Sequence, residues 1–185
     1  MPGIAEQTPN RARGFKAPEA TFSQEAEAMS VSKRLRDLLD KEKVSYKVEE
    51  HDVAYTAQEV AALTHIRGKE MVKCVVVVAD GKHILVALPS TRHLDLKALK
   101  TLLGVKSVRL AEEKEFATEF TDCELGAMPP FGGLYDIELY AEDLLKGDDE
   151  VAYNAGSHRE VVRMHRADWE RIAKPRYGNV TRPLA

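Results

Sequence analysis

The chain has 185 residues, 27 Lys+Arg against 30 Asp+Glu, a formal net charge of −3 and 44% hydrophobic residues. This balance fits one globular domain with a real core, and it excludes a disordered chain or a polycation that coats nucleic acid. The longest apolar run, Cys74 to Ala79, is far too short to span a bilayer, the N-terminus has no apolar signal region, and two cysteines build no disulfide framework, which fits a reducing, cytoplasmic setting.

Residues 1–29 carry scattered prolines and no sustained period and are expected to be a flexible N-terminal tail. The folded domain is expected over 30–175. Val31, Leu35, Leu38 and Leu39 share one helical face, with Ser30 as a candidate N-cap. Val44, Tyr46 and Val48 alternate as a half-buried strand. Thr56 and Glu59 match a capping box that opens a short helix. The strongest strand is Val72 to Ala79, turned by Asp80-Gly81 into a partner over 83–88 and stopped at Pro89. Asp95 caps a helix with Leu96, Leu99, Leu102 and Leu103 inward, ended by Gly104. A short strand over 107–110 and a short acidic helix over 112–118 follow. Residues 126–133 are a loop rich in glycine and proline, and 134–140 alternate as a strand. Residues 151–153 and 161–164 read as two last strands around Asn154-Ala-Gly-Ser-His158. A helix over 167–173 closes the domain, and 176–185 are expected to trail as a C-terminal tail.

Short turns between most strands, with helices inserted unevenly, predict an α+β fold with a mixed, largely antiparallel sheet. No P-loop, dinucleotide fingerprint, zinc-ligand spacing or hydrolase elbow is present, so any chemistry must come from plainer groups. Charge is segregated along the chain: residues 31–110 balance to +5, 111–150 to −11 and 151–185 to +4. Bringing the two basic segments together would steer a phosphate-bearing ligand; the alternative is ordinary solvated charge.

Three ordered features resemble the YbaK family of editing domains, which includes the free-standing ProXp aminoacyl-tRNA deacylases and the inserted domain of bacterial prolyl-tRNA synthetases. They are His51 with Thr56-x-x-Glu59, Gly68 and Lys73 opening an apolar strand; Gly126-Ala-Met-Pro-Pro130-Phe131; and Asn154-Ala-Gly-Ser-His158. The match spans about residues 31–175. The resemblance implies a barrel-like sheet with both glycine turns at one end, forming a small pocket. It implies Lys73 as the catalytic residue and Gly126, Ala127, Met128, Pro129, Pro130, Gly156, Ser157 and His158 as substrate-binding residues, with no metal and no cofactor. The reaction implied is hydrolysis of mischarged aminoacyl-tRNA carrying a small amino acid of the Ser/Thr/Ala/Pro class. The partner implied is the tRNA acceptor end, with an aminoacyl-tRNA synthetase or elongation factor as further candidates, and no membrane.

Each residue also has a plainer reading. Lys73 lies between Val72 and Cys74, which point to the other face, so it either snorkels to solvent or projects alone into a pocket; Lys69 is its rival. The Gly126–Pro130 segment is either a turn that needs its special residues or a backbone that approaches a ligand. Gly156, Ser157 and His158 can be a plain turn, and no carboxylate at fixed spacing marks His158 as a general base. Arg159, Arg163, Arg166, Arg171 and Arg176 are either solvated or contacts for acceptor-stem phosphates. Trp169 reads as core. Alternatives to the hydrolase are a domain of the same fold that binds tRNA or protein without turnover, and a hydrolase of small esters unrelated to tRNA.

Overall fold

The Asp80-Gly81 turn has positive φ at both residues, 44° and 84°, the conformation whose twist suits a two-residue hairpin. It joins β2 (Met71–Ala79) to β3 (Lys82–Pro89), the central pair of the protein. The computed structural model describes residues 31–184; residues 1–30, including Ser30 and the expected N-terminal tail, lie outside the described residues. Before the hairpin come α1 (Lys33–Lys41), β1 (Tyr46–Glu50) and α2 (Ala57–Leu63). After it come β4 (Arg92–Leu94), α3 (Leu96–Leu103), β5 (Val108–Leu110), α4 (Glu113–Phe116), β6 (Glu138–Glu142), β7 (Glu150–Asn154), β8 (Glu160–His165), α5 (Arg166–Ala173), β9 (Arg176–Gly178) and β10 (Thr181–Pro183).

The main sheet runs β1-β8-β7-β2-β3-β6-β9, with β5 also pairing β2. The β1–β8, β7–β8, β2–β3 and β2–β5 pairings are antiparallel; β2–β7, β3–β6 and β6–β9 are parallel. This is the expected α+β fold with a mixed, largely antiparallel sheet. Alternation along β2 divides the core. Val72 and Val76 join the large cluster with Leu35, Leu39, Phe131, Tyr153 and Trp169. Met71 packs with α2 through Val60 and Ala61, and Val77 packs with α3 through Leu99.

Local signals explain most elements. Ser32 is the observed N-cap of α1, its hydroxyl accepting from the Leu35 N–H. Thr56 and Glu59 form a complete capping box. Asp95 accepts from the Lys97 and Ala98 N–H groups at 2.9 and 3.0 Å, and Gly104 ends α3 in the left-handed region.

Two expectations are corrected. The strand expected over 134–140 begins instead at Glu138, after a 3₁₀ turn over Gly132–Leu134. The chain doubles back there: a Cβ on Gly132 would sit 2.2 Å from the Ile137 carbonyl oxygen, and Asp136 holds φ at +56°. The chain beyond 175 does not trail. β9 pairs with β6, β10 pairs with β4, and Val180 is fully buried. Three-residue strands are too short to show a period in sequence; partners supplied by the fold hold them.

Candidate active site

Along one edge of β2, β7 pairs only with Met71 and Val72, and β5 only with Val77 to Ala79. The Ala111 N–H continues the β5 side by donating to the Val76 oxygen at 3.0 Å, so the sheet is parted beside Lys73–Val75. A cleft of about 270 Å³ opens there, lined by Tyr55–Gln58, Val72, Lys73, Cys74, Gly126, Met128 and Asn154. Because the sheet is parted, side chains from both of its faces reach one cleft: Lys73 from one, Val72 and Cys74 from the other.

Lys73 is half-buried, and its ammonium has one long hydrogen bond, Nζ to the Ser90 carbonyl oxygen at 3.5 Å. No carboxylate pairs with it among the described residues. Burial disfavours the charged form and draws its pKa below the ordinary 10.5. The rival Lys69 points elsewhere and pairs with the buried Asp148. Lys73 lines the cleft and is partly shielded from bulk solvent.

The two glycine-bearing turns are laced together. The Gly156 N–H donates to the Ala127 oxygen at 3.0 Å, the Glu124 N–H to the Gly156 oxygen at 2.8 Å, and the His158 N–H to Glu124 Oε2 at 2.8 Å. From below, the Trp169 indole donates to the Pro130 oxygen at 2.9 Å, and Trp169 is fully buried. Gly126, at φ +88°, faces the cleft with the His158 ring behind it. Its N–H donates to Met128 Sδ at 3.1 Å, a weak acceptor that a substrate oxygen can replace. The Ala127 N–H is satisfied by the Glu124 oxygen at 3.0 Å, and prolines 129 and 130 have no N–H.

Not every expected substrate contact reaches Lys73. Gly126 and Met128 share its cleft. Ala127, Pro129 and Pro130 are buried beneath the turn and hold its shape. Gly156 and Ser157 line a separate cavity of about 760 Å³ with Ser32, Arg36 and Asp122. His158 is buried between Tyr55 and Gly126. Its Nε2 lies 2.9 Å from the Leu125 carbonyl, which only accepts, so that nitrogen carries the proton. The buried Nδ1 has no partner. His158 does not line the Lys73 cleft; it packs behind Gly126.

Tyr55 and Asn154 also line the cleft, and neither is among the residues expected to bind substrate. Asn154 was visible as the first residue of the second turn. Its amide makes no hydrogen bond among the described residues, and its Oδ1 is buried. Tyr55 had no sequence signal beyond its place before the capping box. The arginine cluster is largely neutralised: Arg163 faces Glu49 and Glu150, Arg166 pairs with Glu170, Arg171 with Glu42 and Asp168, and Arg176 with Glu138. Of these carboxylates only Glu138 and Glu150 come from the acidic middle segment, and Arg159 alone of the five arginines has no carboxylate partner among the described residues.

Both cysteines are free. Burial raises the Cys74 thiol pKa far above its ordinary value and pushes that of Cys123 up to about 11, so neither is a nucleophile. Among the described residues no helix is long and apolar enough to cross a membrane.

The fold is thus an α+β sheet parted beside a small cleft that holds one lysine and a glycine turn. The chain belongs to the aminoacyl-tRNA editing family: the model of the aminoacyl-tRNA editing domain matches residues 51–172. It is 32% identical over 157 residues to the Escherichia coli (strain K12) multifunctional Ser/Thr-tRNA deacylase ProXp-y, covering 80% of this chain and 92% of that protein. It is 28% identical over 143 residues to the prolyl-tRNA editing protein ProX of Acetoanaerobium sticklandii, covering 74% and 86%. The fold matches a crystal structure described as a candidate trans-editing enzyme for prolyl tRNA synthetase, with a TM-score of 0.72 at 23% identity, covering 83% of this chain and 99% of that one.

Proposed function

We propose that the protein hydrolyses, in trans, the ester joining a small amino acid to the 3′-terminal ribose of a mischarged tRNA. The observation that carries this reading is the single lysine, half-buried and without a carboxylate, in the same small cleft as the Gly126 turn. The names of the relatives support the substrate: one acts on Ser- and Thr-tRNA, the other is a prolyl-tRNA editing protein.

In this mechanism the aminoacyl group enters the cleft and water attacks the ester carbonyl. Negative charge gathers on the carbonyl oxygen as the tetrahedral intermediate forms. The Lys73 ammonium and the Gly126 N–H receive that charge, in place of one distant carbonyl and a thioether. The neighbouring ribose hydroxyl relays the proton from the attacking water to the departing ribose oxygen. The products are the free amino acid and the uncharged tRNA end. His158, fixed through Leu125 and Glu124, holds Gly126 at the correct depth.

The cleft volume of about 270 Å³ and the Met128 and Val72 walls favour small side chains. One methylene is worth only about 1–3 kcal/mol of discrimination in such a pocket, which is why a separate clearing activity serves synthetases that confuse small amino acids. Purified protein is incubated with labelled Ser-, Thr-, Ala-, Pro- and Phe-tRNA. Release of small amino acids with Phe-tRNA left intact is expected. Equal release of phenylalanine overturns the size argument. Binding without release assigns the chain to the non-hydrolysing alternative.

A further inference from the structure

We infer that Tyr55 is a stacking platform for the 3′-terminal base of the substrate, with Arg159 beside it to take a backbone phosphate. This rests on the reading that an aminoacylated RNA end enters the Lys73 cleft. Among the exposed large apolar side chains Tyr55 is the one aromatic and the most exposed, at 74%. A ring so placed adds little to folding, since most of its surface stays in water. Yet it is mounted firmly. One face packs on the His158 ring, with centroids 5.0 Å apart at 53°. His158 is itself buried and tied to Leu125 and Glu124. The backbone on either side of the ring is fixed too: the Ala54 N–H donates to the His158 oxygen at 3.2 Å, and the Tyr55 N–H to Glu59 Oε2 at 3.2 Å. The rest of the ring is open to solvent, and the residue lines the cleft.

The geometry points to a base as the occupant. The ester sits on a ribose that also carries the base, so an ester held at Lys73 puts a flat, apolar-faced group at the mouth. Protein aromatics bind such groups by stacking regardless of base identity. Arg159 is the neighbour of His158 in sequence, is exposed, and has no carboxylate partner among the described residues. Its backbone is pinned by the His51 N–H, which donates to the Arg159 oxygen at 2.8 Å. The four arginines that follow it each face a carboxylate, so Arg159 is the member of the cluster left available to a phosphate.

The test uses uncharged RNA hairpins, one ending in the normal adenosine and one whose terminal nucleotide is abasic. With no ester present, binding is read apart from hydrolysis, so failure here leaves the deacylase proposal standing, and failure of that proposal leaves this result intact. Wild-type protein is expected to bind the adenosine-ended hairpin about tenfold tighter, a typical single-base stacking contribution. Tyr55→Ala is expected to abolish that preference and Tyr55→Phe to keep it, with unchanged thermal midpoints because the ring is exposed. Arg159→Ala is expected to weaken both hairpins equally and to reduce the slope of log Kd against log salt by about one. A wild-type protein blind to the missing base, or a Tyr55→Ala variant that still discriminates, overturns the platform. An unchanged salt slope in Arg159→Ala overturns the phosphate contact.

Discussion

Gly156→Ala measures how strongly the second turn is fixed to the rest of the protein. Gly156 has φ +102°, and a Cβ there would lie 2.8 Å from the Ser32 Cβ, 3.3 Å from the Ser32 nitrogen and 3.4 Å from Cys123 Sγ. Ser32 is the N-cap of α1, and its N–H donates to the Ala155 oxygen at 2.7 Å, so it cannot withdraw cheaply. Backbone strain of about 1–3 kcal/mol adds to overpacking of about 1–3 kcal/mol, a total of roughly 2–6 kcal/mol. At roughly 2–4 °C per kcal/mol for a chain of this size, the thermal midpoint falls by about 4–24 °C. Gly126→Ala is the control. Its φ is +88°, but the nearest atom to a new Cβ is His158 Cε1 at 3.4 Å, an ordinary contact. Only the strain of about 1–3 kcal/mol remains, and the methyl group meets the His158 ring that backs this residue of the cleft. Calorimetry with parallel deacylation assays should therefore find Gly156→Ala the less stable variant, and Gly126→Ala with activity lost beyond its stability loss. Equal midpoints for the two variants would refute the assignment of Gly156 to structure and Gly126 to the site.

Three further outcomes follow from the buried ionisable groups. Burial holds the Lys73 pKa below 10.5, so the enzyme-dependent rate, corrected for spontaneous ester hydrolysis, is expected to decline with rising pH before pH 10.5, as the ammonium is lost. Glu160 is buried, its Oε2 has no partner, and burial followed by the nearby Glu50 raises its pKa above 4.5. The folded state thus holds this proton more tightly than the unfolded chain; its contribution to stability is full below pH 4.5 and is lost as pH rises through the folded pKa. Glu160→Gln is accordingly expected to stabilise by about 1 kcal/mol at pH 7, the low end for a buried polar group without a partner, with the gain vanishing below pH 4.5 in urea titrations. Finally, iodoacetamide at pH 8 should leave Cys74 and Cys123 unmodified by mass spectrometry and the deacylase activity intact, because burial keeps both as thiols.

The parts legible in the sequence are those with a local cause. The hairpin at Asp80-Gly81, the capping box at Thr56 and Glu59, and the Asp95-to-Gly104 helix each carry their signal within a few residues. Lys73 was singled out by the family resemblance; from the residues alone, a charged side chain inside an apolar strand left both a solvent-facing and a pocket lysine open. What sequence could not supply is the gap in the sheet. It arises from β7 and β5 sharing one edge of β2, a pairing between segments far apart in the chain. That gap decides that Asn154 and Tyr55 join the cleft while Gly156 and Ser157, a few positions from Asn154, line another. The C-terminal end of the domain was missed for the same reason: β9 and β10 exist through their partners β6 and β4.

The decisive measurement is single-turnover deacylation of Ser-tRNA by the wild-type protein and by Lys73→Met, which keeps the apolar stem and removes the ammonium. Loss of a donor to a developing oxyanion is expected to slow the chemical step by roughly 10²–10³. The same substitution removes a charge that burial disfavours, so the thermal midpoint at pH 7 should rise. A Lys73→Met protein that releases serine within twofold of the wild-type rate would contradict the account.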